Sequence, residues 1–266
     1  MALKITKHGK RLIILGLGSY LIFLFITLPA SFLTSHILPS VQAARTVKLQ
    51  SVHGNIWNGH ATSARVGSFN LGKLDWQLSP WGFLAGDIDM QLQFRNEETR
   101  GSGEVTLGLG GATHASDVEL AFPADIVQPL IYGFPISISG NFRGTISELT
   151  YIQDKTLNAN GRVVWQSAAL RAPQNIELGD FLVIMTPQNT GTKIKITDQN
   201  QGPVKAEISI KVDGNGKYNL NGWMQARDQN QQHITEALRI IGRADSTGRY
   251  WVSYNGVFGN HRGRRM

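Results

Sequence analysis

Apolar and polar residues alternate with a period of two through most of the chain from Val47 onward. Such alternation places apolar side chains on one face of a strand and polar side chains on the other. One solvated face is typical of antiparallel sheets. The sequence therefore predicts a mainly β domain over residues 45–258, built as one curled antiparallel sheet; a sheet that splits near residues 132–135 is the alternative. The clearest apolar row, expected to form either core or an open groove, comprises Ile88, Met90, Leu92 and Phe94.

Turn sequences separate the alternating runs. Residues 213–216 read Asp-Gly-Asn-Gly, and they predict a hairpin that extends from Ala206 to Met224. Gly101 and Gly103 lie between two other runs and predict a further turn there.

Two short helices are predicted within the sheet. The first covers residues 124–132 and is limited by Pro129. The second covers residues 234–241 and ends at Gly242, a residue type that often follows the last helical turn.

The N-terminal part of the chain has a different pattern, because residues 12–28 contain no charged side chain. A helix over residues 12–32 is long enough to span a hydrocarbon core of about 30 Å. A cleaved signal peptide is the alternative, but its apolar segment usually has only about 7–15 residues. The sequence therefore predicts an uncleaved transmembrane helix, whose anchor residues are Leu12, Leu15, Leu21, Phe23, Phe25 and Leu28.

The distribution of basic residues predicts how this helix is oriented. Residues 1–11 contain four Lys or Arg side chains, which favours a cytoplasmic N-terminus. Residues 33–44 are then expected to form a juxtamembrane helix or linker at the membrane surface. The domain at 45–258 would lie on the opposite side of the membrane, which is the periplasm if the membrane is a bacterial inner membrane.

The net charge of +7 comes from the two ends of the chain. Seven of the 26 Lys and Arg residues lie in residues 1–11 and in a basic tail at 259–266, and the other 19 balance 19 acidic residues. A neutral body argues against binding to nucleic acid, whose electrostatic footprint is a basic face. The tail itself is assigned no role.

The sequence carries little catalytic chemistry. There is no cysteine, and the seven histidines lack the spacing of a zinc site. Nucleophile-elbow, P-loop and dinucleotide-binding motifs are also missing. We therefore predict no catalytic, cofactor-binding or metal-binding residues and no enzyme activity. The alternative is an enzyme acting on cell-wall glycan, which would use carboxylates among Asp75, Asp117 and Asp180.

The order of several motifs resembles the type II secretion system protein N family, also called general secretion pathway protein N. A short basic N-terminus and one apolar segment precede Gly54-Asn55-Ile56-Trp57-Asn58-Gly59, which is followed by a segment containing Trp76 and Pro80. Further matching segments lie around Trp165 and Gly242. The residues that carry the resemblance, expected to be structural, are Gly54, Trp57, Gly59, Trp76, Pro80, Trp165 and Gly242.

This resemblance implies a single-span accessory component of the bacterial inner membrane, in the machinery that exports folded proteins across the outer membrane. Its implied partners are other secretion proteins of the inner membrane and periplasm, together with the lipid bilayer. A second hypothesis, suggested by architecture alone, is a tethered β-groove that holds or transfers lipid as an apolar ligand. Independently, the glycines around Trp57 predict a buried tryptophan, with Gly59 leaving room for a neighbouring side chain.

Overall fold

Each strand of the β domain pairs with the strand that follows it in the sequence. The computed structural model describes residues 7–32, 34–35, 47–67, 69–108, 110–131, 137–152, 156–172, 175–199, 202–239 and 243–257. Thirteen antiparallel strands form one sheet in sequence order. They are β1 (Val47–Gly54), β2 (Asn58–Val66), β3 (Phe69–Leu78), β4 (Asp87–Arg95), β5 (Arg100–Gly108), β6 (Ala112–Pro123), β7 (Ser137–Ile152), β8 (Thr156–Ala172), β9 (Ile176–Gln188), β10 (Gly191–Asp198), β11 (Val204–Asp213), β12 (Lys217–Ala226) and β13 (Tyr250–Val257).

The predicted mainly antiparallel fold is therefore confirmed, whereas the alternative of a split sheet is wrong. Strands β6 and β7 flank the proposed split, and they pair from Ala112 opposite Ile152 to Pro123 opposite Asn141. The predicted hairpin from Ala206 to Met224 is also confirmed, because β11 and β12 pair directly. Its turn contains Gly216 at a φ of 74°, a conformation that glycine adopts readily.

The turn predicted at Gly101 and Gly103 is wrong, because both glycines lie inside β5. The chain turns earlier, where Asn96 Oδ1 accepts hydrogen bonds from the backbone N–H groups of Glu98 and Thr99, at 2.9 and 2.6 Å. Inside the strand, the position of a Cβ on Gly101 is already occupied by the Phe94 ring. The glycine thus serves cross-strand packing rather than a turn.

One long helix, α1, and several short helices accompany the sheet. They are α1 (Lys7–Thr27), α2 (Ala30–Phe32), α3 (Pro80–Ala85), α4 (Gln232–Leu238) and a 3₁₀ helix at Ala124–Ile131. The 3₁₀ helix and α4 confirm the two predicted helices, although α4 ends at Leu238, before the predicted end at 241. Residues 240–242 lie outside the described residues, and so do residues 1–6, 33, 36–44 and 258–266 of the predicted N-terminus, linker and tail. Within the part of the chain that the structure describes, no helix is both long and apolar enough to cross a membrane.

Two hydrophobic clusters pack against the sheet, one toward each end. The N-terminal cluster consists of Ala30, Ile56, Trp57, Ala61, Ala64, Leu74, Trp76 and Leu78. The C-terminal cluster consists of Ala168, Ile176, Leu178, Phe181, Val204, Ala206, Met224, Ala226, Ile234, Ala237, Leu238 and Tyr250. Ile88, Met90, Leu92 and Phe94 are half-buried and pack against the N-terminal cluster.

The apolar face continues between the two clusters, across β5 and β6. Register places Met90 opposite Val105 and Ile88 opposite Leu107, so that these side chains share one face. Val105, Leu107, Val118 and Leu120 are only half-buried and belong to neither cluster. The middle of the sheet therefore has an apolar face that is less covered than either end.

Candidate functional site

The N-terminal helices are joined to the sheet by backbone hydrogen bonds. The Ile56 N–H donates to the Leu28 carbonyl over 3.0 Å, and Pro29 forms an isolated β-bridge with Asn55. Leu28, predicted as an anchor residue, packs against the N-terminal cluster. We call this region, from Phe25 to Ala30 and around Trp57, the N-terminal junction.

Trp57 is the centre of the N-terminal junction. Its side chain is 7% exposed, which confirms the predicted burial. The indole Nε1–H donates to the Phe25 carbonyl over 3.0 Å, and the two rings meet edge to face at 4.7 Å. The Trp57 carbonyl accepts from the Leu78 N–H at the end of β3. Trp57 thereby connects α1 to two parts of the sheet.

The glycines beside Trp57 are required by close packing. A Cβ on Gly59 would overlap the ring of Trp76, whose Nε1–H donates to the Ile56 carbonyl over 3.1 Å. Gly54 has a φ of 92°, in the left-handed region that favours glycine. The structure thus brings together four of the seven residues that were expected to be structural.

The other three lie elsewhere. Pro80 begins α3, and Gly242 lies outside the described residues. Trp165 is half-buried beside the C-terminal cluster, where its Nε1–H donates to the Ser139 carbonyl over 2.9 Å. It also contacts the rings of Phe142 and Phe181.

The two edges of the sheet differ in how well they are protected. Strand β1 carries Lys48 and is interrupted at Ser51, which has a φ of 49° and no partner in the β2 register. A lysine on an edge strand is a common means of preventing edge pairing. Strand β13 reads YWVSYNGV, without a charge, a proline or a break in its register. Trp251 and Tyr254 on β13 are 56% and 44% exposed.

A turn held by Asp245 leads into β13. Its Oδ1 accepts from the N–H groups of Thr247 and Arg249, and its Oδ2 accepts from Trp251 Nε1 over 2.8 Å. Hydrogen bonds from the Thr247 hydroxyl and the Trp251 indole, followed by that from the Arg249 backbone, hold the pKa of Asp245 well below its ordinary value. The turn fixes the start of the edge strand.

The polar face of the sheet contains a cavity that the sequence did not indicate. Its volume is about 500 Å³, and it extends over five strands, from Asp75 on β3 to Thr145 on β7. Arg95, Arg100 and Arg143 line it, with Glu119 among their neighbours. Only the register of the strands reveals that these residues share one surface.

No metal centre is present among the described residues, which contain no group of three or more His, Asp or Glu side chains placed to hold an ion. The carboxylates considered for glycan chemistry lie on β3, β6 and β9. Asp75 pairs with Lys73 at 3.2 Å, and Asp180 accepts from the Ser167 N–H over 2.8 Å. Asp75 and Asp180 thus have local structural partners, and Asp117 lies within β6 at a φ of 49°.

A single antiparallel sheet of thirteen strands in sequence order, joined to an N-terminal helix, is the class of fold that the described residues define. Comparison with known proteins gives the particular family. The model of the type II secretion system protein N family matches residues 45–253, and the chain belongs to this family. It is a family of secretion components rather than a known class of enzymes.

Three relatives carry the name type II secretion system protein N. The protein from Vibrio cholerae serotype O1 is 24% identical over 79% of this chain and 84% of its own length. The protein from Aeromonas hydrophila is 24% identical over 91% of this chain and 96% of its own length. The protein from Klebsiella pneumoniae is 26% identical over 86% of this chain and 88% of its own length. No solved structure matches the chain significantly.

Proposed function

We propose that the chain is an inner-membrane accessory component of the type II secretion machinery and takes part in the export of folded proteins through protein–protein contacts. Family membership supports a role in that machinery. The observation that carries the mode of action is strand β13, the last of the sheet, whose outer edge pairs with no other strand that the structure describes. A free strand edge presents unpaired backbone N–H and C=O groups, to which an extended segment of another secretion component can add as a further strand.

The N-terminus supplies the membrane anchor in this proposal. Apolar side chains are exposed around α1, including Leu15 at 73%, Leu21 at 57% and Phe23 at 63%. The segment from Ile13 to Ile26 carries no charge and exposes apolar side chains, a surface that is suited to lipid rather than to one packed face. We assign residues 1–11 to the cytoplasm, 33–44 to the membrane surface and 45–258 to the periplasm. Residues 12–32 are assigned to the span, whose last part from Phe25 onward meets the sheet at the N-terminal junction.

A secretion assay tests the role as a whole. Deletion of the gene is expected to reduce export of a folded exoprotein, and the full chain supplied in trans should restore it. Unchanged export in the deletion strain would reject the proposed function.

The edge contact makes a sharper prediction. Asn255→Lys combined with Val257→Lys adds two charges to β13, which should prevent strand addition and reduce the restored export at least fivefold. Gln50→Lys combined with His53→Lys adds the same charge to exposed positions of β1 and should restore export as the unmodified chain does. Equal export by the two double variants, at equal protein levels, would exclude β13 as the docking edge.

A second candidate function, the holding of lipid, is favoured by the half-buried apolar face across β5 and β6. A photoreactive side chain at Leu107 faces that surface, whereas one at Thr106 faces the opposite side. Irradiation in cells should give a lipid adduct, detected by mass spectrometry, at position 107 and not at position 106. Lipid adducts at neither position, or equally at both, would contradict this function.

A further inference from the structure

Strand register aligns four basic residues in one row on the polar face. Lys73 on β3 is opposite Arg95 on β4, and Arg95 is opposite Arg100 on β5. Arg100 is opposite Ala121, which in turn is opposite Arg143 on β7. Like charges directly opposite each other on neighbouring strands destabilise a sheet. We call Arg95, Arg100 and Arg143 the arginine row.

The arginine row forms no ion pair among the residues that the structure describes. Lys73 is paired with Asp75 at 3.2 Å, but no described carboxylate forms an ion pair with Arg95, Arg100 or Arg143. All three arginines are exposed, and all three line the cavity of about 500 Å³ on the polar face. Repulsion within a shaped cavity would be relieved by an anionic ligand.

The spacing of the arginine row indicates the size of that ligand. Neighbouring strands lie about 4.8 Å apart, so Arg95 and Arg100 are close enough to hold one anionic group together. Arg143 is two strands beyond Arg100, at about 10 Å, and would hold a second group. Arginine binds carboxylates through two parallel hydrogen bonds, which suits a ligand with separate carboxylates.

The surroundings of the row favour a protein segment over a membrane surface. The row lies in a depression of about 500 Å³, which suits a narrow ligand better than a flat bilayer. Asp75 and Glu119 line the same cavity two residues further along their strands, about 7 Å from the row. Their negative charges would repel a broad anionic surface but leave room for a narrow segment along the arginines.

We infer that the arginine row binds an acidic, extended segment of another secretion component, with carboxylates about 10 Å apart. This inference rests on the proposed function, since it assigns a second contact surface and its chemistry. A polyproline II segment with an acidic residue at every third position would match, because such residues lie on one side at about 9 Å intervals.

Binding to the purified full chain in neutral detergent tests the inference. The probe is a fluorescent peptide of four Asp-Pro-Pro repeats, with four Ser-Pro-Pro repeats as its uncharged control. The acidic peptide should bind, and its affinity should fall at least tenfold between 50 and 500 mM salt, as expected for exposed charges. Equal binding of the two peptides would overturn the inference.

Matched variants then test the location. Arg95→Gln, Arg100→Gln and Arg143→Gln together should weaken binding of the acidic peptide at least tenfold. Lys193→Gln, Lys205→Gln and Lys211→Gln remove the same charge from exposed positions on β10 and β11 and should change binding less than twofold. Neither triple variant should melt below the unmodified chain, which establishes that both fold. Equal binding by the two folded triple variants would overturn the inference.

Competition experiments distinguish a protein segment from a lipid headgroup or free phosphate as the source of the anionic group. Inorganic phosphate and short-chain phosphatidylglycerol should displace the acidic peptide only at concentrations far above that of the peptide. Displacement by phosphatidylglycerol at equal concentration would overturn the protein-segment assignment in favour of a lipid headgroup. The deletion strain distinguishes this inference from the proposed function. If the deletion strain loses export, but the triple arginine variant still binds the acidic peptide and restores export fully, the inference fails while the proposed function stands.

Discussion

Trp57→Ala is expected to destabilise the protein by about 3–5 kcal/mol, the usual cost of removing a buried tryptophan side chain. The loss would be a large part of the margin of about 5–15 kcal/mol typical of folded domains. It combines the lost ring contact with Phe25 and the lost hydrogen bond to the Phe25 carbonyl. Urea unfolding of the purified chain measures the free energy, and immunoblotting should show less protein in cells.

The matched control is Trp81→Ala, which removes the same side chain from a position that is 76% exposed. This variant should change the free energy of unfolding by no more than about 0.5 kcal/mol. A Trp57→Ala protein that accumulates and unfolds like the unmodified chain, yet does not support secretion, would contradict a packing role. Trp57 would then be a docking residue.

Gly140→Ala is expected to destabilise the protein nearly as much, because of the backbone conformation at this position and the backbone atoms around it. Gly140 has a φ of 106°, and a Cβ there would lie 2.5 Å from the Gln166 carbonyl oxygen and 2.6 Å from that of Ser167. The backbone strain costs about 1–3 kcal/mol, and the overpacking costs a similar amount. Chemical unfolding should therefore show a loss of about 2–6 kcal/mol.

Gly110→Ala provides the comparison, because no heavy atom lies within 4 Å of a Cβ at that position. It should leave the free energy of unfolding within about 0.5 kcal/mol of the unmodified value. Equal effects of the two substitutions would show that the bulge of β8 at Gln166 and Ser167 can move away from β7 at little cost.

The sheet could be predicted from the sequence because a period of two depends only on neighbouring residues. The run from Asp87 to Phe94 identifies a strand and its apolar face without knowledge of any partner. The glycines around Trp57 likewise indicated close packing. They could not indicate that the packing partner is Phe25, 32 residues earlier in the chain.

The arginine row could not be predicted, because its alignment depends on register between strands. Arg100 and Arg143 are 43 positions apart in the sequence and share a row only after pairing through β6. The register shifts between Ser102 and Glu104, so an unbroken alternation does not give this alignment. The identity of the two edge strands also depends on the strand order, which alternation cannot reveal.

The pairing of each strand with its sequence neighbour also determines the order in which the protein can fold. Contacts that are local in sequence have a small loop-closure cost and form quickly. As the chain emerges from N- to C-terminus, each new strand can add to the edge left by the previous one. No strand must wait unpaired for a distant partner. Since β13 is the last strand to be added, the proposed docking edge is completed only when the rest of the sheet already exists.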